Sequence, residues 1–461
     1  MKTQHLMKVV SVFVCALFMA SNTVLADSPV ADNSKLMDKI AALESKIAQL
    51  ESKVAMQGHI TPTKETPMVA PTGSGLLKSN EDIHFGGYIS TDYNLNTSSP
   101  QPTAATIAGR TAGTPTIDGN NTNTRAFDRD SNSFGANGKM TFEKAASEAG
   151  TAGFRTDLMF GRTAQILNSA TTNDSTDNFF VEQAYVQYIA PIGNGVDIKA
   201  GRFVTIAGAE VIESKDNWNS SRGLLFNNAI PFTHNGVLAS YTINDLVDVK
   251  AGVANGWDSS VDNNKSKTLL SAIALHPMAG LDITNNFIFG SEQARTVGGL
   301  NIDDNSRGLW DLVVAWQPIS DNDRWKVLAN FDYGWEEKAS AIGSSGNASW
   351  HGFALGTKYD VNDKLTLAAR WEYFADPDGA RLGSVNGITA ATSTTLYEMT
   401  YTADYKLANN LLTRLEYRYD QASDNLYDLS NGLSAGLSGS ATNVAANQSQ
   451  HTIGAEMIYV F

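Results

Sequence analysis

Cysteine is nearly missing from the 461 residues: Cys15 is the single one. It lies in a stretch that reads as a cleaved leader, so the mature chain carries no thiol. That excludes a disulfide framework, a cysteine metal site and a cysteine nucleophile. Positive charge is also scarce. The formal net charge is −14, and it becomes −16 without Lys2 and Lys8 of the leader. Such a chain is a poor partner for nucleic acid. Long apolar runs are missing beyond Val9–Ala20, so no membrane helix is expected. If this chain enters a membrane, it must do so as a closed β-barrel, because lipid leaves no backbone group unpaired.

Catalytic motifs are missing too. There is no Gly-x-Ser-x-Gly elbow, no His-Glu-x-x-His and no phosphate loop. His84, His234, His351 and His451 are scattered over separate segments. The acidic stretches at 118–123 (DGNNTN) and 303–308 (DDNSRG) lack the closing glutamate of a calcium loop. No catalytic residue, cofactor or metal site is expected, and the chain does not read as an enzyme.

What is present falls into four parts. Residues 1–26 combine Lys2 and Lys8, an apolar run and Val24-Leu25-Ala26, the pattern of a secretory signal peptide. Residues 27–56 carry a heptad seam, with Ile40, Ile47 and Val54 at a and Leu36, Leu43 and Leu50 at d. Lys39, Lys46, Glu44 and Glu51 flank it, placed to pair across a parallel partner. This predicts a coiled-coil helix and a homo-oligomer. The a/d choice favours two strands by peptide rules, and three heptads do not decide between a dimer and a trimer. Residues 57–82, interrupted by Pro62, Pro67 and Pro71, read as a linker.

From 83 to 461 the period is two. "KVLANFDYGW" sets Val327, Ala329, Phe331, Tyr333 and Trp335 against Lys326, Asn330 and Asp332, and "KLTLAARWEYF" and "LTRLEYRY" repeat the pattern. About sixteen such segments are expected, at 84–95, 133–144, 153–164, 180–190, 196–205, 235–243, 246–255, 268–276, 281–291, 308–318, 325–335, 350–360, 364–375, 394–406, 410–419 and 450–461. Short and long connections alternate between them. Short inner turns and long outer loops are the arrangement of an outer-membrane barrel, with aromatics at the strand ends near the interfaces. The predicted fold is an all-β membrane protein: a closed antiparallel barrel of about sixteen strands, preceded by a short periplasmic coiled-coil helix. Lumen parity assigns Arg155, Lys326, Arg370, Glu372, Arg414, Glu416 and Arg418 to the inside, along with Asp157, Lys199, Asp248, Lys250, Asp332, Lys358, Glu398 and Asp404. Both signs are present, so no simple ion preference follows.

Gly201–Ser266 carries more specific words: a Gly201-Arg202-Phe203 strand end, Gly208-Ala209-Glu210, Asn217 to Arg222, Pro231 to Val237, and Asn255-Gly256-Trp257-Asp258. These, with "FGGYISTDYNLN" at the first strand, resemble the putative β-barrel porin-2 (OmpL-like) family. The resemblance implies an outer-membrane barrel with porin activity, a passive channel for small hydrophilic solutes. The heptad segment departs from it and is similar to the periplasmic coiled coils of phosphate-selective and siderophore-uptake porins. A substrate-specific uptake porin for an iron chelate or phosphate is therefore the alternative, and a surface adhesin or envelope tether without transport is the third reading.

The third long loop, at 206–234, holds Glu210, Glu213, Lys215, Asp216, Trp218, Arg222 and His234. By analogy with sixteen-stranded porins it is expected to fold into the lumen and narrow it. The closing "HTIGAEMIYVF" puts Ile453, Met457, Tyr459 and Phe461 on one face and Glu456 on the other. That strand is expected to close the barrel against 84–95. Its Tyr459 and terminal Phe461 also resemble the signal read by the barrel-assembly machinery of the outer membrane.

Overall fold

The computed structural model describes residues 83–96, 124–128, 133–172, 177–262, 264, 266–292, 296–297, 300–301, 305–318, 324–337, 346–382, 393–427 and 447–461. The chain divides into two units, Met1–Leu77 and Lys78–Phe461, and the described residues belong to the second. The leader, heptad segment and linker expected at 1–82 lie outside the described residues, as does the acidic stretch at 118–123.

Sixteen strands close a barrel. They are β1 (His84–Asn96), β2 (Ser133–Lys144), β3 (Ala152–Gly161), β4 (Phe179–Ala190), β5 (Val196–Val204), β6 (Thr233–Asn244), β7 (Val247–Ala254), β8 (Thr268–Met278) and β9 (Leu281–Ser291). After a two-residue pair, β10 (Thr296–Val297) and β11 (Leu300–Asn301), come β12 (Ser306–Trp316), β13 (Trp325–Glu336), β14 (Ala348–Asp360), β15 (Leu365–Asp376), β16 (Thr394–Ala408), β17 (Leu411–Ala422) and β18 (Ser449–Val460). Each barrel strand pairs antiparallel with its neighbours, and β18 returns to β1 with Tyr88 opposite Val460 and Asn96 opposite Thr452. Phe461 continues that ladder one residue further. Its N–H donates to Gly87 O at 3.0 Å, and Gly87 N–H donates to Phe461 O at 2.9 Å. The sheet therefore has no free edge.

Every expected segment is a strand, with ends shifted by a few residues. One difference has a clear cause. The expected strand at 153–164 stops at Gly161, and Arg162–Thr172 forms a helix, α1. Gly161 has φ +99°, and a Cβ there would meet the Ala136 carbonyl. The chain leaves the strand at this glycine, which adopts a positive φ without the steric cost of a side chain.

The outer face carries what lipid requires. Trp316, Trp325, Tyr359, Tyr405 and Tyr459 are exposed near the short-turn end, and Phe134, Phe179, Trp310, Tyr333 and Tyr397 toward the long-loop end. Aromatics at both levels with an apolar band between are what two membrane interfaces select. Among the described residues no helix is long and apolar enough to cross a membrane.

The lumen is packed at the long-loop end. Phe127, from the first long connection, meets Phe226 and Phe232 at ring distances of 5.7 and 5.3 Å. Leu167 of α1, Leu224, Leu225, Ile230, Trp257, Trp350 and Tyr427 join the same buried cluster. Burying side chains of this size stabilises by roughly 1.5–3 kcal/mol each. This internal core gives the long connections a fixed place inside the barrel.

Candidate pore constriction

Residues 205–232 join β5 to β6 and run across the lumen to the far wall. The middle holds a 3-10 turn (Ser214–Asp216) and a five-residue helix, α2 (Leu224–Asn228), whose residues are all buried. Such a segment leaves many N–H and C=O groups without partners in the same element, and each must be satisfied once buried.

The wall satisfies them by sign. Ser220 and Ser221 donate their N–H groups to Glu416 of β17, at 2.6 and 3.0 Å. Arg222 N–H goes to Asp128 at 2.9 Å and Gly223 N–H to Glu210 at 2.6 Å. Leu224 N–H goes to Glu372 of β15. Five successive donors thus meet four carboxylates, at the end of a helix where negative charge is favoured. A Cβ on Gly223 would overlap the Glu372 carboxylate, so glycine lets the carboxylate come up against the loop backbone here.

The carbonyls meet guanidinium groups. Arg370 of β15 donates to Ser221 O at 2.7 Å and Arg418 of β17 to Arg222 O at 2.7 Å. Arg414 donates to Ser214 O and to Asn217 O, the latter at 2.8 Å. Arg222 turns back on its own loop to Ile212 O at 3.0 Å. Hydroxyls add to this: Ser214 and Ser220 each donate to Glu456 of β18 at 2.6 Å.

The arginines also hold the carboxylates apart from one another. Arg370 pairs with Glu210 of the loop and, at 2.8 Å, with Glu398 of β16. Arg418 pairs with Asp420 at 2.8 Å and Arg414 with Asp404 at 3.0 Å. Burial works against the Arg222 charge, but Asp128 at 2.8 Å holds it above its ordinary value.

Most of the residues expected at a constriction are therefore brought together: Glu210, Glu213, Arg222, Arg370, Glu372, Arg414, Glu416 and Arg418. Glu213 is met by Lys139 of β2, which also reaches Glu182 at 2.9 Å and Asp157 at 3.5 Å. Arg155 joins the edge of this group through Asp157 at 2.9 Å and Glu143 at 3.6 Å. Lys215 and Asp216 pair with each other at 2.7 Å, and Asp216 is exposed. Lys326 stands apart: it faces Lys358 across β13 and β14 and makes no ion pair among the described residues. Of the assembly-signal residues, Tyr459 is exposed on the outer face and Phe461 is 5.9 Å from Phe85, ring to ring.

Lys139, Glu143, Glu182, Asp420, Arg125 and Asp128 were not anticipated. Lys139 was legible by parity, since it alternates with Asn137 and Thr141 against Met140 and Phe142. Arg125 and Asp128 sit in an irregular connection with no period to reveal them. Arg125 is buried, lies 3.9 Å from Asp420 and donates to Thr452 at 3.0 Å.

Beside the loop a cavity of about 70 Å³ remains, lined by Glu210, Asp216, Trp218, Leu328, Ala354 and Gly356 among others. Trp218 lies 3.5 Å from where a Cβ on Gly356 would stand. Among the described residues no cluster of three or more His, Cys, Asp or Glu side chains is arranged to hold a metal ion.

Solved outer-membrane proteins share this architecture. An anion-selective porin from Comamonas acidovorans superposes with a TM-score of 0.51 at 11% identity, over 82% of this chain and 99% of that one. The channel DcaP of Acinetobacter baumannii gives 0.50 at 10% identity, over 82% and 97%. OmpF of Salmonella typhi, solved with daunomycin, gives 0.50 at 10%, over 82% and 97%. At such identities the likeness is one of fold. No curated protein matches the sequence. A family model described as Putative beta-barrel porin-2, OmpL-like matches residues 82–461, the whole barrel, and the chain belongs to that family of outer-membrane porins.

Proposed function

We propose that in this porin, a passive channel for small hydrophilic solutes, the connection at 205–232 sets the width of the path. One observation carries the reading: five successive backbone donors, from Ser220 to Leu224, are tied to carboxylates that include Glu372 and Glu416 of the far wall. A loop fastened at that many points stays in the lumen while solute passes. These bonds and the guanidinium–carbonyl bonds occupy five of the charges that parity assigned to the inside. Arg370, Arg414, Arg418, Glu372 and Glu416 then act as braces, and the solute meets Val211, Lys215, Asp216 and Trp218 on the free side of the loop. Val211 is 41% exposed, which a braced residue would not be. A path lined by one Lys–Asp pair selects weakly by charge and mainly by size.

A second reading, uptake of a phosphate-like anion, is supported by Lys326 opposite Lys358. The leader at 1–26, the coiled coil at 27–56 on the periplasmic side and self-association through it belong to the same proposal, as does reading of Phe461 and Tyr459 by the assembly machinery. Purified protein in planar bilayers tests the main reading. Deleting 212–226 is expected to raise single-channel conductance, and unchanged conductance and selectivity would reject it. Reversal potentials in a salt gradient test the second: strong anion selectivity, lost when Lys326 and Lys358 are replaced by Gln, would favour the phosphate reading.

A further inference from the structure

Two carboxyl groups inside the barrel face each other with no cation between them. Asp311 of β12 and Asp332 of β13 stand opposite in register, and both are 0% exposed. Like charges directly opposite on neighbouring strands repel, and burial away from water makes the repulsion larger. Elsewhere in this lumen the buried carboxylates Glu182, Glu398 and Asp420 are each met by lysine or arginine. Among the described residues neither Asp311 nor Asp332 has an ion pair.

The two acids differ in what surrounds them. Asp311 accepts an amide on each oxygen, from Asn286 at 2.6 Å and from Asn330 at 2.7 Å. That is the setting of an ionised carboxylate. Neither oxygen of Asp332 is met by a donor in hydrogen-bonding geometry. The amide beside it, Asn330, is spent on Asp311. The other groups that face Asp332 bring no positive charge. They are Glu372 of β15 and, opposite in register, Gly352 of β14 with Leu225 of α2 against it. Arg370 lies 3.9 Å from Glu372 but is committed to Glu210 and Glu398. A buried carboxyl without any donor, placed against an ionised one, fits an acid that carries its own proton.

We infer that Asp311 and Asp332 hold one proton between them, Asp332 donating to ionised Asp311, and that this proton latches the constriction loop to the barrel wall. The link runs through Asn330. Its Nδ2 donates to Asp311, and its Oδ1 accepts Ala209 N–H of the loop at 3.1 Å. Loss of the proton as pH rises puts a second negative charge beside the first and beside Glu372. The strands relieve that repulsion by parting or by admitting water, and either draws Asn330 away from Ala209. The loop is therefore held in acid and loosened in alkali. Only the effect on conductance rests on the reading of 205–232 as the constriction.

The test compares the full-length protein with Asp332→Asn, whose amide has the same shape and donates to Asp311 at every pH. Infrared difference spectra at pH 7, native minus variant, are expected to contain the carbonyl band of one neutral carboxylic acid. Raising the pH should remove that band from the native protein. Single-channel conductance of the native protein should rise over the same titration, and Asp332→Asn should lose that rise. A difference spectrum without a neutral-acid band means that both groups are ionised, and a band that appears only after chelation means that a metal cation holds them together. Either result overturns the inference, as does a conductance rise equally steep in the variant. If native conductance stays flat while the band is present, cleavage of the loop by proteinase K decides, native against variant at each pH. Cleavage that increases with pH in the native protein alone keeps the latch and rejects the width reading, and equal cleavage rejects the latch.

Discussion

Glu210 and Arg370 form an ion pair that ties the long loop at 205–232 to strand β15. Both residues are largely buried, and the same guanidinium reaches Ser221 O at 2.7 Å and Glu398 at 2.8 Å. Arg370→Ala would therefore strand two carboxylates and a carbonyl together. Removing one partner of a buried pair costs about 3–5 kcal/mol. We expect the variant barrel to unfold at lower urea and its loop to become sensitive to protease, with higher single-channel conductance. Arg370→Lys should recover only part of this, because an ammonium cannot fork to both oxygens of Glu398 while holding Ser221.

Trp218 packs on the bare backbone of Gly356, 3.5 Å from the position a Cβ would take. Trp218→Ala removes the bulkiest side chain lining the cavity between the loop and β13–β15. None of the loop's ties to the wall runs through this side chain, so thermal stability should change by about 1 kcal/mol or less. Conductance should rise, and permeation of larger neutral sugars in liposome swelling should rise more steeply than that of small ones. Equal gains for all sizes would mean that Trp218 does not lie at the narrowest point.

Much of this was legible from period and turn length. The β17 segment Leu411–Ala422 alternates without interruption, so the inward direction of Arg414, Glu416 and Arg418 follows from parity alone. The pairing of strands follows too, since short turns force neighbours to be antiparallel. Two things were not legible. The partners of Glu416 are backbone N–H groups of Ser220 and Ser221, and no residue identity announces a backbone donor. Parity gave mixed charge inside the barrel and no ion preference, and it could not say that Arg370, Glu372, Arg414, Glu416 and Arg418 would bond the backbone of one loop. Arg125 and Asp128 were also beyond reach, because irregular backbone has no period and their positions depend on Asp420 and Arg222, which are distant in sequence.

Acid should stabilise the loop-side structure through Asp258. This residue lies between β7 and β8, with φ +54°, and its Oδ1 accepts Phe232 N–H at 2.7 Å and Thr233 N–H at 2.9 Å. Burial pushes its carboxyl up to about 6, against about 3.9 in an unfolded chain. The folded state then binds more proton between those values, so stability falls as pH rises from about 4 to about 6. The same burial pushes nearby Glu292 up to about 6, so it adds to the effect in one window. Asp258→Asn keeps the acceptor and removes the titration. Unfolding free energies from urea titrations at pH 4.5 and 7.5 should differ less in the variant than in the native protein, by on the order of 2 kcal/mol. An equal difference would assign the slope to other groups.

Phe461 is predicted to matter more for making the barrel than for its conduction. Its backbone exchanges two hydrogen bonds with Gly87, at 2.9 and 3.0 Å, in the last rung of the seam between β18 and β1. Its ring lies 5.9 Å from Phe85 on the outer face and contacts the space above Gly87. The loop at 205–232 approaches this seam at Tyr88, whose ring centre lies 5.7 Å from Lys215 Nζ, and not at Phe461, so the width of the path is expected to survive loss of the terminal residue. Deleting Phe461 removes one rung and one aromatic anchor from a seam that the chain must find last, since its two strands are the most distant in sequence. We expect surface levels of the deletion variant to fall several-fold, while the few barrels that form conduct like the native channel. Phe461→Tyr should restore assembly, because it keeps both the rung and an interfacial ring. Normal assembly of the deletion would show that the register fixed by Tyr88–Val460 and Asn96–Thr452 closes the barrel without help from the terminal residue.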